Sequence, residues 1–278
     1  MGKFINFNGE LLPEDQPVFT AASRAARFGD GLFETMRMNN GQVLFAEQHA
    51  SRLFKGLQLL QFKLPKDFTW NFLENEIARL AKKNNCSPHA RIRLMVVRGE
   101  GAISDEPINS PQFLIECWPT EIYSFNQKGI SLGIFEEARK SNDHYSSIKS
   151  ANFLPYVMAM EFAKGKGWDE CLLLNSEHRV CDGTISNIFW IRGSGICTPP
   201  LTEGGIAGVM RSFLLEALLY NGYFVEEEQC TIKELLGADE IFLTNVVRGI
   251  RWVSTLQEKA YKNDITTKIF NELIKPLM

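Results

Sequence analysis

The chain has 278 residues, 45% of them hydrophobic and 23% charged, which is the balance of a globular protein able to bury a large core. Its 30 basic and 33 acidic side chains give a net charge of −3, which argues against nucleic-acid binding driven by bulk charge. The first residues lack a basic stretch followed by an apolar one, and no run of 18 apolar residues occurs, so we expect a cytoplasmic protein without signal peptide or membrane span.

Two hairpin signals and two amphipathic segments organise the first part of the chain. Asn8-Gly9 and Asn39-Asn40-Gly41 each separate alternating apolar runs, which predicts tight turns between strands. Helices are predicted over 46–60 and about 68–83, and strands in "ARIRLMVVRGEG" and "PQFLIECWP". We therefore expect an α+β domain with an antiparallel sheet over 1–120, followed by a linker over 121–130.

The second part, residues 131–278, is expected to form another domain. Strands are predicted in "ISLGIF", "ECLLLN", "HRVCDGTISNIFWI", "GICTPP" and "ADEIFLTNVVRGIRWV". Helices are predicted in "KSANFLPYVMAMEFAKGKG", "GVMRSFLLEALLYNG" and the last segment up to Met278. Pro155 must lie in the first turn of its helix or kink it, and Gly165 and Gly167 are expected to end that helix.

The six cysteines show neither a disulfide nor a metal-binding pattern. None forms a C-x-x-C pair, and the chain has only four histidines. In a chain of this length the pattern favours reduced thiols over a disulfide framework or a zinc site. We therefore expect no bound metal.

Lys149 stands immediately ahead of an apolar helical run. A lysine at the edge of an apolar helix often buries its aliphatic stem and keeps its amine in water, with no further role. It can also be held in a pocket for chemistry. Lys149 by itself does not decide between these alternatives.

Two glycine-rich or polar breaks could supply hydrogen-bond donors to an anion. Gly204, Gly205 and Gly208 precede a predicted helix, whose first N–H groups and dipole attract phosphate. A glycine turn without a ligand explains this pattern equally well. Thr244-Asn245 interrupts a buried strand and could offer a second set of donors.

An arginine and a carboxylate complete the set of candidate groups. Arg52 lies beside Leu53 on an amphipathic helix, where its guanidinium suits a phosphate, although a surface pair with a glutamate is as good an explanation. Asp182 precedes a small-residue loop, where it could hold a protonated ring nitrogen or simply form an Asp-Gly turn. Together, a lysine, a phosphate cradle, an arginine and a carboxylate are what pyridoxal 5'-phosphate requires.

Seven sequence runs resemble the class IV aminotransferases, the fold-type IV enzymes that include branched-chain and D-amino-acid aminotransferases and aminodeoxychorismate lyase. The runs follow the order of that family over nearly the whole chain: "RAARFGDGLFETMR" (24–37), "HASRL" (49–53), "IKSANFL" (148–154), "DECLLLN" (169–175), "DGTISNIFW" (182–190), "TPPLTEGGIAGVMR" (198–211) and "ADEIFLTNVVRGI" (238–250).

The resemblance implies a two-domain α+β fold with a small N-terminal α/β domain and a larger C-terminal pseudo-barrel domain. It also implies a homodimer, pyridoxal phosphate between the domains, and a small amine or amino-acid substrate, with no nucleic-acid or membrane partner. In that family's pattern Lys149 would form the Schiff base with the cofactor and Asp182 would contact the pyridine nitrogen, where the family usually has Glu. The implied phosphate contacts are Arg52, the backbone of Ile206 and Ala207, and the loop of Asn245 and Val246.

Three comparisons within the family favour aminodeoxychorismate lyase, which yields 4-aminobenzoate and pyruvate for folate synthesis. Phe153 stands where branched-chain enzymes carry a tyrosine that contacts the cofactor ring oxygen. The run "TNVVRGI" is similar to the "TNSLRGI" type of the lyases, and "VRGEGAISDEP" lacks the Arg and His pair of D-amino-acid enzymes.

In the lyase, Lys149 would be the base that moves the substrate proton. Candidate substrate contacts are Arg37, Phe33 and Arg248, although surface salt bridges would also explain the arginines. The alternatives are a branched-chain or D-amino-acid aminotransferase and a non-catalytic member of the family.

Overall fold

The computed structural model describes residues 4–106, 109–121 and 124–277, and the chain divides into two compact units. The first unit comprises the described residues up to 121 together with Ile148–Asn152, and the second comprises 124 to Ser147 and Phe153 to 277. The sequence expectation assigned 148–152 to the second domain, whereas the structure groups this short segment with the first unit. The α+β prediction is confirmed.

A six-stranded antiparallel sheet forms the first unit. Its strands are β1 (Phe4–Phe7), β2 (Glu10–Pro13), β3 (Gly31–Asn39), β4 (Gln42–Val43), β5 (Ala90–Arg98) and β6 (Pro111–Pro119), in the order β2-β1-β6-β5-β3-β4. Both predicted hairpins are present. Asn8 and Gly9 link β1 to β2 with φ values of 51° and 88°, and Asn40 and Gly41 link β3 to β4 with 48° and 77°. Asn and Gly adopt this left-handed conformation at low cost.

In the described part of this unit, the sheet is accompanied by the helices α1 (Arg24–Phe28), α2 (Ala46–Leu59) and α3 (Trp70–Lys83). The two predicted helices are confirmed within two residues at each end. The α3 helix begins after Thr69, because the Thr69 side chain accepts a hydrogen bond from Phe72 N and caps the helix. Apolar side chains of α2 and α3 are buried with those of the sheet in one core, which includes Leu53, Leu57, Leu73, Ile77, Leu80, Met36, Ile92, Leu94 and Ile115.

The segment 148–152 runs along the edge of β3. Phe33 N donates to Lys149 O at 3.0 Å, and Ala151 N donates to Gly31 O at 2.8 Å. Strand β5 pairs with one edge of β3. On the other edge, β4 pairs only with Met38 and Asn39 at the C-terminal end of β3. The near end of that edge is therefore available to Lys149 and its neighbours.

The second unit contains a nine-stranded mixed sheet. Its strands are β7 (Ile130–Lys140), β8 (Glu170–Asn175), β9 (Val180–Gly183), β10 (Asn187–Arg192), β11 (Gly195–Thr198), β12 (Phe224–Glu227), β13 (Glu240–Asn245), β14 (Gly249–Leu256) and β15 (Lys259–Ala260). The order is β12-β11-β10-β13-β14-β7-β8-β9, with β15 paired to β14. Although β9 is far from β10 in this order, Gly183 N donates to Ser186 O at 2.7 Å and joins the end of β9 to the start of β10. The sheet thus curls into the predicted pseudo-barrel.

The α-helices described in the second unit are α4 (Leu154–Lys166), α5 (Val209–Tyr220), α6 (Ile232–Leu236) and α7 (Asp264–Ile269). The helix predicted from Lys149 begins five residues later, because 149–152 pair with β3 instead. Pro155 lies in the first turn of α4 as predicted, where its missing N–H costs nothing. Gly167 caps the helix with φ 71°, whereas Gly165 lies inside it, so its prediction as a terminator was wrong.

Other differences from the predicted elements concern turns and short elements. Each of the two long runs predicted as strands contains a turn and forms two strands, β9 and β10 in the first run and β13 and β14 in the second. The sequence analysis did not identify β12 or α6. The predicted closing helix continues after α7 as a π-helical turn over Phe270–Ile274 and a 3₁₀ turn over Lys275–Leu277, and Met278 lies outside the described residues. Residues 122 and 123 of the predicted linker also lie outside them.

Gly133 tests the packing of the second unit. A Cβ at Gly133 would lie 1.9 Å from the Trp168 ring, in the tight layer between β7 and α4. We expect Gly133→Ala to lower the free energy of unfolding by about 1–3 kcal/mol through overpacking, measured by urea denaturation. Gly165→Ala is the control, because a Cβ there meets nothing within 4 Å and replaces a helical glycine. Equal stability of the Gly133→Ala variant and the wild type would contradict this packing.

Candidate active site

Lys149 is half-buried in the first unit, and its amine lies over an aromatic ring. The Nζ atom is 4.4 Å from the centroid of the Phe33 ring, in a recess whose lining includes Arg52, Glu34 and Leu53. Since the Lys149 carbonyl accepts from Phe33 N, one residue of β3 contacts both the backbone and the amine of this lysine. The amine is thus held at the wall of the recess.

Arg52 is fixed in the same recess by Glu34. Alternation along β3 turns Glu34 toward α2, where Arg52 Nε donates to Oε1 at 2.8 Å and Arg52 Nη2 donates to Oε2 at 2.5 Å. His49, one turn earlier on α2 and fully buried, contacts Glu34 Oε2 through Nδ1 at 2.7 Å. The sequence analysis offered a surface pair with a glutamate as the alternative to phosphate binding by Arg52. Arg52 does pair with a glutamate, but that glutamate is buried. A two-bond fork fixes the plane of the guanidinium.

The charges of this cluster are determined by its contacts. Burial would raise the pKa of Glu34, but the charge of Arg52 and hydrogen bonds from Arg52 and His49 outweigh it and lower this pKa to about 2. Burial lowers the pKa of His49, and the nearby positive charges of Arg52 and Lys149 lower it further. The hydrogen bond and charge of Glu34 act in the opposite direction but do not outweigh these effects. At neutral pH, His49 is therefore neutral and donates its Nδ1 proton to an ionised Glu34.

In the second unit, Asp182 is buried at the end of β9 and accepts two hydrogen bonds on Oδ2. The Tyr156 hydroxyl donates to it at 2.9 Å, and Ile206 N donates at 3.0 Å. Lys140 Nζ in turn donates to the Tyr156 oxygen at 2.5 Å. Asp182 is therefore part of a buried hydrogen-bonded chain, which is more than the Asp-Gly turn alternative requires.

The glycines ahead of α5 form a tightly packed loop. A Cβ at Gly208 would overlap the Asn187 side-chain oxygen at 1.8 Å, and one at Gly205 would lie 2.9 Å from Cys181 O. Gly204 has a φ of 94°, which L side chains rarely adopt. Asn187 also donates from Nδ2 to Ile206 O at 2.8 Å. Glycine is thus required by close backbone approach in this loop.

The backbone amides expected to bind phosphate already have acceptors within the second unit. Ile206 N donates to Asp182, and Ala207 N donates to Ser147 O at 2.9 Å. A phosphate at this loop would compete with those acceptors for the two amides. A phosphate bound there would therefore depend on side-chain donors, and on the turn that follows β13, more than the sequence pattern indicated.

The turn after β13 is ordered by hydrogen bonds of Asn245. Its Oδ1 accepts from Arg248 N at 2.7 Å, and its Nδ2 donates to Ile185 O at 3.3 Å. Val246, the other residue predicted at this turn, is buried. The turn lies next to the one that follows Asp182, because Nδ2 of Asn245 is also 3.4 Å from Ser186 Oγ.

A buried glutamate holds the turn between β9 and β10. The Glu170 carboxylate accepts from Thr184 Oγ1 at 3.0 Å, Ile185 N at 3.3 Å and Ser186 Oγ at 3.1 Å, and it forms an ion pair with Arg251. This cluster fixes the turn that carries the partners of Asn245. Its charges are compensated, as buried charges require.

The three candidate substrate residues, Phe33, Arg37 and Arg248, differ in burial and in the unit to which they belong. Phe33 is half-buried in the Lys149 recess, and Arg93 of β5 lies 5.0 Å from its ring centroid. Arg37 is buried on β3 and donates to Glu121 O at 2.5 Å, whereas Arg248 is exposed in the second unit. The structure thus brings Phe33 together with Lys149 and Arg52, and Arg37 lies four residues further along the same strand.

Sequence reasoning missed Glu34, His49, Lys140, Tyr156 and Glu170. A signal was present for the two glutamates, since each stands as a lone carboxylate in an apolar strand, in "GLFETM" and "ECLLLN". No comparable signal marks Lys140 and Tyr156, whose contact depends on how β7 and α4 pack.

Three further features of the described residues are the state of the cysteines, the grouping of possible metal ligands and the lengths of the helices. All six cysteines are buried and unpaired. In the part of the chain that the structure describes, no group of three or more His, Cys, Asp or Glu side chains could hold a metal ion. None of the helices described is both long and apolar enough to cross a membrane.

Comparison with known proteins defines the family. The sequence profile of class IV aminotransferases matches residues 31–256. An aminodeoxychorismate lyase of Vibrio harveyi is 28% identical over 245 residues, covering 87% of this chain and 88% of that protein. A putative branched-chain-amino-acid aminotransferase of Methanocaldococcus jannaschii is 27% identical over 271 residues, covering 97% of this chain and 93% of that protein.

A solved structure confirms the fold. The branched-chain aminotransferase of the thermophilic archaeon Thermoproteus uzoniensis, solved with norvaline, matches with a TM-score of 0.88 at 24% identity, covering 98% of this chain and 93% of that one. The chain therefore belongs to the class IV aminotransferase family. It is an enzyme of that pyridoxal-phosphate-dependent family of lyases and aminotransferases. The two relatives have different reactions at similar identity, so similarity alone does not choose between them.

The residues present fit pyridoxal phosphate. The first unit offers a primary amine over an aromatic ring and an arginine whose plane is fixed. The second unit offers a buried carboxylate and a loop that excludes Cβ atoms at Gly205 and Gly208. Amine, cation, carboxylate and close backbone are the groups that this cofactor requires.

Glu34→Gln tests the charge cluster around Arg52. The folded pKa of Glu34 lies below its unfolded value, so its stabilisation is complete above about pH 5 and is lost as the pH falls toward 2. We expect the variant to be less stable than wild type by about 3 kcal/mol at pH 7, and by progressively less at lower pH. Urea denaturation at pH 7, 5 and 3 measures this.

Glu161→Gln is the matched control for that prediction. Glu161 pairs with Lys164 at 2.7 Å, but both side chains are exposed, so this change is expected to alter stability by less than about 1 kcal/mol. A constant difference between Glu34→Gln and wild type from pH 7 to pH 3 would contradict the lowered pKa.

Proposed function

We propose that the protein is a cytoplasmic, pyridoxal-phosphate-dependent 4-amino-4-deoxychorismate lyase, which forms 4-aminobenzoate and pyruvate for folate synthesis. The observation that carries the chemistry is the half-buried Lys149 amine, 4.4 Å from the Phe33 ring centroid in the recess that Arg52 lines. The lyase is supported by the run "TNVVRGI", by Phe153 in place of a tyrosine, and by the Vibrio harveyi relative.

The proposed cofactor contacts follow the pattern of the family. We propose that Lys149 bonds to its aldehyde carbon and that Asp182 keeps a proton on its ring nitrogen. Arg52 and the turn of Asn245 and Val246 would bind its phosphate. Ile206 and Ala207 are further phosphate contacts, provided that their amides exchange their present acceptors for phosphate oxygens.

Lys149 would also act as the base of the reaction. When bound, pyridoxal phosphate supplies an aldehyde that condenses with the substrate amine and a ring that accepts electrons from the amine-bearing carbon. Once the substrate amine has displaced it from the cofactor, the freed Lys149 amine would take the proton of the C–H bond that breaks at this carbon. The electron pair left behind forms a ring double bond as the neighbouring C–O bond breaks. The enolpyruvyl group leaves, gains a proton at its CH₂ carbon and becomes pyruvate.

Substrate carboxylates would be bound by arginines. Arg37 and Arg248 remain the candidates from sequence, and Phe33 would pack against the substrate ring. Arg93 is a further candidate, because it lies over the Phe33 ring on the neighbouring strand. Its pairing with Glu116 at 3.1 Å fixes its guanidinium.

A second function is an aminotransferase of branched-chain or D-amino acids. The Methanocaldococcus jannaschii relative, which matches 97% of this chain, favours it. In this reaction Lys149 would move the same proton from the amino-acid carbon to the cofactor carbon instead of allowing a C–O bond to break.

We further propose that the enzyme is a homodimer. The resemblance to the family implies this state, and one face of α4 supports it. Leu154, Val157 and Met158 are 68%, 50% and 46% exposed, and their spacing places them on one stripe of the helix. Exposed apolar stripes of this kind commonly mark protein–protein contacts.

Lys149→Ala tests the proposed chemistry. We expect the purified wild type with pyridoxal phosphate to absorb near the visible region and to convert aminodeoxychorismate to 4-aminobenzoate, and we expect the variant to lose both. Chromatography of the products and an absorption spectrum measure this. Lys166→Ala is the control, because Lys166 also lies over an aromatic ring, Phe162, but is exposed. Retained colour and product in Lys149→Ala would contradict the proposal.

Addition of an amino acid without a keto acid separates the two candidate reactions. A lyase keeps its absorption, because its normal cycle returns the cofactor unchanged. An aminotransferase loses it, because the amino group stays on the cofactor. Bleaching by branched-chain or D-amino acids, without 4-aminobenzoate formation from aminodeoxychorismate, would select the aminotransferase.

Val157→Glu tests the dimer. A charge on the exposed face of α4 is expected to shift the protein from dimer to monomer in size-exclusion chromatography with light scattering, because a buried unpaired carboxylate is costly. Leu219→Glu is the control, since Leu219 is 60% exposed on a different helix, α5. A monomeric wild type, or a Val157→Glu variant that stays dimeric, would contradict this assignment.

A further inference from the structure

Lys140, Tyr156 and Asp182 form a hydrogen-bonded chain of fixed direction. A lysine ammonium can only donate and a carboxylate can only accept. The Tyr156 oxygen therefore accepts from Lys140 and donates its proton to Asp182 Oδ2, at 2.5 Å and 2.9 Å respectively. Positive charge thus lies at one end of the chain and negative charge at the other, with a phenol between them.

Burial keeps the phenol protonated. Tyr156 is 5% exposed and Asp182 is 2% exposed. Burial raises the pKa of Tyr156 well above its usual value, and the neighbouring Asp182 charge acts in the same direction. The phenol therefore remains protonated, and a donor to Asp182, at neutral pH.

Packing holds the Tyr156 ring in place. Phe153 stacks on it with centroids 4.2 Å apart and planes 16° apart, and Lys140 Nζ lies 4.6 Å from its centroid. Ala159 and Ala163, further along α4, belong to the same buried cluster. The hydroxyl thus has little freedom to leave the carboxylate.

The other titratable groups near Asp182 contribute little net charge at its carboxylate. Cys181, beside Asp182 on β9, has its pKa raised by burial and stays a neutral thiol. Beyond it, Arg179 and Glu203 pair with each other, so their charges largely cancel at Asp182. Ile206 N also donates to Asp182 Oδ2, at 3.0 Å, but it is a backbone amide without a formal charge. Lys140 on β7 and Tyr156 on α4 are therefore the side chains through which we expect the Asp182 charge to be modified.

We propose that Lys140 and Tyr156 are positioning residues that draw negative charge from Asp182 and fix its orientation, and so set how strongly it favours protonated forms of a bound pyridoxal phosphate. This inference rests on the proposed role of Asp182 at the cofactor ring nitrogen. Negative charge of Asp182 that is stabilised by the Tyr156 hydroxyl stabilises a protonated nitrogen of the cofactor ring less strongly. The pair therefore lowers the pH at which the bound cofactor loses its proton.

The test uses the purified full-length chain loaded with pyridoxal phosphate. Tyr156→Phe removes the hydroxyl and keeps the ring stacked on Phe153, and Lys140→Met removes the ammonium and keeps the aliphatic stem. Absorbance of the bound cofactor is titrated against pH in the wild type, both single variants and the double variant. We expect each single change to raise the midpoint, by about one pH unit for Tyr156→Phe.

The double variant distinguishes a chain from two separate effects. Because the ammonium acts through the phenol, we expect the double variant to match Tyr156→Phe alone rather than the sum of the two shifts. Additive shifts, or shifts below about 0.2 units in both single variants, would overturn the proposal. If Tyr156→Phe does not fold, as judged by circular dichroism, the Lys140→Met shift decides the question.

The same unit offers a matched control. Lys259 lies 4.7 Å from the Tyr261 ring centroid, and the Tyr261 hydroxyl is 3.5 Å from Leu235 O, with a backbone carbonyl in place of the carboxylate. Lys259→Met and Tyr261→Phe are expected to leave the midpoint unchanged. An equal shift in these controls would show a general loss of packing and would overturn the proposal.

Failure of this inference is distinguishable from failure of the proposed function. If the wild type and Lys149→Ala have the same absorption with pyridoxal phosphate, both proposals are overturned. If Lys149→Ala loses the absorption but Lys140→Met and Tyr156→Phe leave the midpoint unchanged, only the role of Lys140 and Tyr156 is overturned.

Discussion

The recess around Lys149 in the first unit depends on the pairing of residues 148–152 with the start of β3. Two backbone hydrogen bonds, between Phe33 and Lys149 and between Ala151 and Gly31, remove Lys149 from the helix that its sequence neighbourhood would favour. The same pairing explains a glycine, because a Cβ at Gly29, which caps α1 with φ 62°, would lie 2.7 Å from the Asn152 side chain. Backbone pairing around Lys149 fixes the position of its main chain, and with it the region that its amine can reach.

Buried carboxylates organise both units, and each is satisfied by several donors. Glu34 holds Arg52 and His49, and Glu170 holds the turn that reaches Asn245. A buried charge without partners would be costly, and removal of one partner would leave the other exposed to that cost. These clusters therefore fix the orientation of Arg52 in the first unit and of the turn beside Asn245 in the second. Each of them is the lone carboxylate of its strand, Glu34 in β3 and Glu170 in β8.

The sequence predicted what local patterns determine and missed what packing determines. Hairpins at Asn8-Gly9 and Asn40-Gly41 and the helix over 46–60 follow from turn chemistry and periodicity, and they are confirmed. The start of α4 was wrong, because β3 competes for 149–152 through contacts more than 100 residues away in sequence. The family motifs located Lys149, Arg52 and Asp182, but the partners of these residues come from other elements. No local pattern could indicate that Tyr156 would meet Asp182.

The positions of Phe153 and Tyr156 connect the fold to the choice of reaction. In this chain Phe153 is the residue that caps the start of α4, and the phenol of Tyr156 lies three residues later, with its ring stacked on that of Phe153. Its hydroxyl is held by Asp182 and Lys140, so it cannot serve a cofactor oxygen without breaking two buried hydrogen bonds. In the lyase that we propose, formation of an aromatic product drives the C–O bond to break, and this step does not call on the Tyr156 hydroxyl. The place of this phenol is therefore compatible with the proposed lyase.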